Sequence, residues 1–537
     1  MYASTLPFFY TCLVKKQYGI LFLFYLLFSC KEEGSDPLFS LLSESQTGIS
    51  FRNELTYNEK INPYTFRNFY NGAGVAIGDI NQDGLPDIFL ASNQQSNRLY
   101  LNTGELNFKD ITETAGLNSS GSWSTGVSMA DVNGDGLLDI YVCKSGPMQG
   151  ERRHNELFIN NGDLTFTEQA KDYGLAEIGL SQHAVFFDYD KDGDLDMYLL
   201  SNSGRSVGLN DLRLGQRELR DPDGGNKLFR NDGERFTDVS AEAGIYGSAI
   251  GYGLGVTVSD LNLDGWPDLY VSNDFFERDY LYLNQKNGTF SEVLPQAMPE
   301  ISMGSMGADI ADLDNDLLPD LVITEMLPQD LARVKSKTPF EEWDKFQANQ
   351  KGGYHRQFTR NTLQRHLGIQ PQDSTPIFAE VSRYAGIEAT DWSWGALIFD
   401  ADLDGKKDIF IANGIVKDLT DFDFVDFYAN NQGNISGYRK DSVLVTKMID
   451  AFPSVPQQNF FFKNKGAMQF DNQAESNGME QLTFSTGSAY ADLDNDGDLD
   501  LVVNNLNERA FVYRNNSKSE TSGNYLSLDL GSAFGAK

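Results

Sequence analysis

Asp188-Tyr-Asp190-Lys-Asp192-Gly193-Asp-Leu-Asp196 places Asp at positions 1, 3, 5 and 9 around a Gly at position 6. Six further stretches repeat it. They are Asp79, Asn81, Asp83 and Asp87; Asp131, Asn133, Asp135 and Asp139; and Asp260, Asn262, Asp264 and Asp268. The others are Asp312, Asp314, Asp316 and Asp320; Asp400, Asp402, Asp404 and Asp408; and Asp492, Asp494, Asp496 and Asp500. Positions 1, 5 and 9 are Asp in every copy, and position 3 is Asp in four and Asn in three. Position 6 is Gly except at Leu317 in the fifth copy.

Outward from each loop the flanks repeat too. A Gly- and Ala-containing segment precedes it, as in Gly72-Ala-Gly-Val-Ala-Ile. An apolar β-branched or aromatic run follows, such as Ile88-Phe-Leu-Ala or Leu501-Val-Val, which reads as a buried strand. A third strand then ends on Asn in most copies, as in Arg98-Leu-Tyr-Leu-Asn102 and Glu156-Leu-Phe-Ile-Asn160. A fourth segment opens on Phe and runs into Ala-Gly: Phe108 to Leu117, Phe236 to Ile245, Phe378 to Ile387, with weaker versions at Phe166, Phe290 and Phe470. A seventh such segment, Phe39 to Ile49, precedes the first loop. Loop starts lie 52, 57, 72, 52, 88 and 92 residues apart. The shortest interval is that of a four-stranded propeller blade. The displaced N-terminal strand can complete the last blade, and a closed ring leaves no long sheet edges. The expected fold is all-β: a seven-bladed β-propeller over residues 39–516, with an EF-hand-like loop in each blade and a few helical insertions.

Position 1, 3, 5 and 9 oxygens, a carbonyl at position 7 and a Gly turn suit a hard cation with six to eight oxygen ligands. An Asp-Gly hairpin turn alone would not need acid at positions 1 and 9 every time. Clustered carboxylates without a cation repel one another. The expectation is up to seven Ca2+, one per blade, held by the 28 residues named above, with magnesium disfavoured by its octahedral demand. The fifth site is expected to be the weakest, because a left-handed Leu317 costs about 1–2 kcal/mol.

These loops resemble the FG-GAP/VCBS repeat family and are similar to the calcium loops of integrin α-chain propellers. The stretch Asn524-Tyr-Leu-Ser-Leu-Asp-Leu-Gly to Lys537 resembles the opening of the ASPIC/UnbV segment of cartilage-acidic-protein-like chains, so residues 517–537 are expected to be the start of a truncated segment. The resemblance implies extracellular calcium binding with adhesion or ligand recognition, and no reaction.

Charge and composition agree. The chain has 537 residues with 77 acidic and 43 basic side chains, a formal charge of -34. Nucleic acid is excluded as a partner by that sign. Disorder is excluded by 40% hydrophobic residues. Cys143, in a strand-like run, reads as a small core hydrophobe. The four His form no metal motif, and neither a nucleophile elbow nor a phosphate loop is present. The chain is therefore read as a binding module and not an enzyme.

Lys15-Lys16 and the apolar run Tyr18 to Phe28 form a signal peptide over residues 1–30, too short to span a bilayer. Leu27-Phe28-Ser29-Cys30 resembles a bacterial lipobox with Cys30 lipidated, and Lys31-Glu32-Glu33 in the linker 31–38 resembles a surface-export signal of Bacteroidota lipoproteins. The expected product is a monomeric, surface-exposed outer-membrane lipoprotein, touching the membrane through its lipid alone. Its ligand is an unknown protein or glycan. Alternatives are an accessory role in an outer-membrane glycan or protein uptake complex and, third, a glycan-active enzyme, since paired acids abound. Insertions 204–226, 327–361 and 414–458 interrupt the blade rhythm and are candidates for recognition. A helix is expected from about Pro339, and Trp343, Phe422, Phe424 and Tyr428 could stack on a sugar.

Overall fold

The computed structural model describes residues 37–117, 123–146, 154–204, 215–233, 235–338, 343–422 and 442–517. The expected helix start at Pro339, the aromatics Phe424 and Tyr428, Cys30 and the segment 518–537 lie outside these.

Seven four-stranded antiparallel sheets are arranged as the blades of a closed propeller. Each acidic loop joins the first, innermost strand of a blade to its second: Val75–Gly78 to Asp87–Leu90 in blade 1, and Ser485–Ala491 to Asp500–Asn505 in blade 7. Second strands are buried throughout, as in Asp139–Lys144 and Asp408–Asn413, which is why they read as unbroken apolar runs. Blade 7 takes its outer strand from the chain's start: Phe39–Leu41 pairs antiparallel with Phe511–Asn515. Innermost strands pack against one another around the ring, blade 7 meeting blade 1. Between blades lie apolar layers such as Ala76, Phe89, Leu99, Val127, Ile140 and Phe158. Cys143 is a buried free thiol in one such layer, its pKa pushed up by burial.

The repeated Ala-Gly turn is an inter-blade contact. Gly174 and Gly244 have φ of 77° and 78°, and a Cβ there would meet the Phe236 and Phe290 carbonyl oxygens of the next blade at 2.9 Å. Glycine is needed at these positions for both reasons.

A second seam joins every blade to the one before it. The third-strand Asn donates through Nδ2 to the position-2 carbonyl of the preceding blade's acidic loop. Asn160 reaches Ile80, Asn231 Val132, Asn284 Tyr189, Asn464 Leu313 and Asn515 Ala401, at 2.7–3.3 Å. Asn102 reaches Leu493 O at 2.8 Å and so closes the ring from blade 1 to blade 7. Blade 5 has no such Asn; there His366 Nε2 meets Leu261 O at 2.9 Å.

Connections between second and third strands, and those between blades, share the ring face opposite the acidic loops. The segment before blade 1 lies there, its Leu55, Phe69 and Tyr70 packed with Trp123, Ile415 and Leu506. The blade 5 insertion forms two helices, Leu331–Lys337 and Trp343–Lys351. The first was not anticipated; it has an Asp330 cap and is fastened by Arg333 to Asp391 and by Lys337 to Asp418 at 2.7 Å. The blade 6 insertion carries the helix Ser442–Ala451.

Removing a latch leaves a buried carbonyl unsatisfied, a cost of about 1–3 kcal/mol. Asn102→Ala is expected to lower urea-unfolding stability by about 2 kcal/mol, and His366→Asn by under about 0.5 kcal/mol, since Asn fills this place in six other blades. An Asn102→Ala protein as stable as the parent would show that the seam contributes nothing.

Candidate metal centres

Within each loop the backbone is folded around the position-1 carboxylate. Its Oδ1 accepts from the position-5 N–H at 2.9–3.2 Å in all seven copies. Its Oδ2 accepts from the position-6 N–H at 2.7–3.2 Å. Position 5 accepts from the position-7 N–H at 2.8–3.2 Å. The loop is thus shaped by its own main chain, as an Asx-turn ladder.

Two positions in this shape are left-handed. Position 6 is Gly in six copies, and Leu317 adopts φ 71° in the fifth. Its side chain is 84% exposed, and Gly84, Gly193 and Gly405 have no atom within 4 Å of a Cβ position, so the cost at Leu317 is one of backbone only. Loop five keeps the hydrogen bonds of the others. Position 4 is left-handed as well: Gln82, Lys191, Leu263, Asn315, Leu403 and Asn495 have φ of 57–61°, and Gly134 has 72°. This requirement was missed from sequence, because side chains of very different kinds meet it. Several of these side chains also bridge loops: Gln82 Nε2 donates to Gly136 O (2.7 Å), Asn315 Nδ2 to Gly405 O (3.0 Å) and Asn495 Nδ2 to Gly84 O (2.7 Å).

Position 9 sits deepest. Asp87, Asp196, Asp268, Asp320, Asp408 and Asp500 are wholly buried, and Asp139 is 1% exposed. Oδ1 accepts from the backbone N–H of the latch residue at 2.7–2.9 Å in every blade. Oδ2 accepts from the position-2 N–H in six. Each oxygen keeps a lone pair for a further partner. Burial, and then the acids at positions 1, 3 and 5, push these carboxyls up, against the backbone N–H groups, to about 7 in Asp87, Asp139, Asp268, Asp320 and Asp408 and about 8 in Asp196 and Asp500.

Position 3 divides the loops. Asn81, Asn133 and Asn262 donate through Nδ2 to the position-5 Oδ2 at 2.9–3.0 Å. An Asp cannot. In the other four loops Oδ1 of Asp190, Asp314, Asp402 and Asp494 is buried without a hydrogen-bond partner. Carboxylate oxygens of three acids come within 4.8 Å of one another there: Asp188, Asp190 and Asp196; Asp312, Asp314 and Asp316; Asp400, Asp402 and Asp404; Asp492, Asp494 and Asp496. Ligands on opposite sides of a Ca2+ stand about 4.6–5.2 Å apart, so the clusters have the span of one coordination sphere. The donor set is all oxygen. The residues present fit a hard divalent cation.

The FG-GAP-like repeat model matches residues 79–142 and 260–323, which hold loops one, two, four and five. The chain carries FG-GAP-like repeats. It is 27% identical to cartilage acidic protein 1 of Xenopus tropicalis over 232 residues, 43% of this chain and 32% of that protein. It is 38% identical to human integrin alpha-7 over 84 residues, 14% of this chain and 7% of that protein. The chain thus spans about a third of the length of the cartilage acidic protein it matches. A solved structure of an Agrocybe aegerita lectin overlaps at TM-score 0.36 and 14% identity, over 74% of this chain and 79% of that one, too loosely to say anything of ligand. Loops three, six and seven lie outside the matched FG-GAP segments and share their geometry.

Two outcomes are expected. First, the raised position-9 carboxyls hold protons in the fold that the unfolded chain, with carboxyls near 4, has released. The stability they contribute is full below about pH 4 and is lost as pH rises through about 7–8. Protein stripped of divalent ions on a chelating resin should melt at a lower temperature at pH 8 than at pH 5, and added calcium should remove most of that difference. An apo melting temperature that rises over this range would contradict the burial assigned to position 9. Second, Leu317→Gly should stabilise the fold by about 1 kcal/mol, read as a higher urea midpoint with an unchanged slope.

Proposed function

We propose that this FG-GAP propeller is a calcium-stabilised recognition module displayed at the cell surface. The observation that carries the proposal is the orphaned inner oxygen of position 3 in four loops, set among carboxylates at the spacing of one cation. Asp at positions 1, 3, 5 and 9, with Asn at position 3 in three loops, would hold the ion. The ion would supply charge neutralisation to acids that the fold forces together, and so would stiffen the loop face of the ring.

Relatedness to integrin alpha and cartilage acidic protein 1 supports adhesion or ligand recognition over chemistry, and 25 of the 77 acids already have a part in the loops. Recognition is assigned to the opposite face, where the insertions stand. Trp343 there is 70% exposed and stacked on Phe346, and Phe422 is 38% exposed. Ion pairs hold the neighbouring helix rigid, so an aromatic platform would be presented at low entropic cost. The ligand is a protein or glycan, bound by a monomer. Anchoring is through lipid on Cys30 at the outer membrane; among the described residues no helix is long and apolar enough to cross a bilayer. A place in an outer-membrane uptake complex is the second reading, favoured if flanking genes encode a transporter.

Binding that exists only in the folded state adds to stability. EGTA at pH 7.5 should lower the melting temperature by about 10 °C or more, with full recovery on adding excess calcium. An unchanged melting curve would mean that the loops are turns and nothing else. On a glycan array the calcium-loaded protein should bind a ligand that Trp343→Ala weakens at least about tenfold, consistent with an aromatic anchor. Hydrolysis of any glycan would overturn the reading as a binder.

A further inference from the structure

The four loops with Asp at position 3 have a second feature in common. The residue just before the latch position on the third strand is basic in each: Arg230, Arg365, Lys463 and Arg514. In the three loops with Asn at position 3 the same place holds Leu101, Ile159 and Leu283. No exception occurs in either direction.

Contacts follow the pattern. Arg365 Nη2 lies 2.7 Å from Asp314 Oδ2, Lys463 Nζ is paired with Asp402 Oδ2, and Arg514 Nε lies 3.5 Å from Asp494 Oδ2. In each case the base takes the outer oxygen and leaves Oδ1 buried and unpartnered. Arg230 differs in bonding to Asp232 at 2.9 Å. Lys286, from the turn after the third strand, reaches position 5 of loop four at 3.3 Å, away from its Asn262.

We propose that Arg365, Lys463 and Arg514 are internal counter-cations that answer the fourth carboxylate of their loops and set how tightly those loops take a divalent ion. This rests on the calcium reading above. Where position 3 is Asn, its own amide hydrogen screens position 5. Where it is Asp, that donor is lost and one more negative charge is added, and the third-strand base replaces both. The base lies beside the carboxylate that a cation would share. It therefore holds the loop together when the ion is absent and opposes the ion when it arrives. In loop five the charge left for the cation then equals that of loops one and two, four carboxylates and a base against three carboxylates and an amide, while loop seven keeps one carboxylate more, Asp498 at position 7.

The test uses the whole protein and calcium itself, in competition with a chromophoric chelator and in thermal melts with and without EGTA. Arg365→Leu, and a triple variant with Lys463→Leu and Arg514→Leu, should each show tightened sites, about tenfold per site, amounting to one or three of the seven. Their melting temperature in EGTA should fall while that in calcium changes little, so the gap between the two widens. Arg365→Lys should behave as the parent. In the reverse direction, Leu101→Lys should weaken one site. Variants that bind calcium as the parent does, or more weakly, and that melt with an unchanged gap would overturn the proposal. A parent protein with no calcium response at all would instead sink the calcium reading. A triple variant too unstable to purify without calcium, but folded with it, counts in favour.

Discussion

The ring depends on a carboxylate that is buried seven times over. Position 9 of each loop receives an N–H bond from the third strand, and in six loops another from its own loop's second residue, and thereby clamps the strands of one blade together. The third-strand residue that donates to it then reaches, through its side chain, to the loop of the blade before. The same few atoms therefore hold a blade closed and hold it to its neighbour. Apolar layers supply most of the burial, but they are non-directional. The register between blades comes from this chain of directional bonds, which passes through every blade and returns to its start through Asn102.

Such a design concentrates negative charge. A formal charge of -34 could have been spread as a solvating skin; here much of it is drawn into seven loops on one face. Position 1 is offset by backbone N–H groups and position 9 by N–H groups and a raised proton affinity, while position 3 is an amide in three loops and is paired with a neighbouring base in three of the other four. The oxygen left without a hydrogen bond most regularly is the inner one of position 3, in four loops, along with Asp194 Oδ1, Asp498 Oδ1 and Asp408 Oδ2. Buried acceptors without partners are costly, and native structures keep few of them. A fold that repeats the same one four times, always facing other carboxylates, has the form of a coordination site.

The architecture was legible in the sequence because its signals are periodic. Loop spacing, the Phe that opens each outer strand and the early copy at Phe39 place the acidic loops and outer strands of all seven blades, and the structure has them there. The third strands of blades 5 and 7, Thr362–Ile369 and Phe511–Asn515, escape that reading. The features that escaped are those carried by atoms instead of residue types. Position 4 is left-handed whether it is Gln, Lys, Leu or Asn, because the two neighbouring turns dictate its backbone. The latch Asn looks like a turn residue, since Asn also favours turns. The bases opposite position 3 were visible, but only a register between a loop and the third strand shows that they meet. The segment before blade 1 has no repeat to betray it, and the helix Leu331–Lys337 is held by ion pairs to distant residues.

Blade 5 shows what the constraint demands. Its latch is His366, which must do two things: accept from the Gly368 N–H, through Nδ1 at 3.0 Å, and contact the Leu261 carbonyl, through Nε2 at 2.9 Å. A neutral imidazole with its proton on Nε2 offers one acceptor and one donor at about the separation of the oxygen and nitrogen of an amide. An imidazolium would offer two donors and could not accept. Burial depresses the pKa of this ring, which keeps it in the form the latch requires. The same blade tolerates Leu317 at a glycine position because nothing packs against that turn, and keeps its loop bonds. What is invariant around the ring is therefore a pattern of donors, acceptors and backbone angles. Where a different residue can supply that pattern, the letter changes and the ring does not.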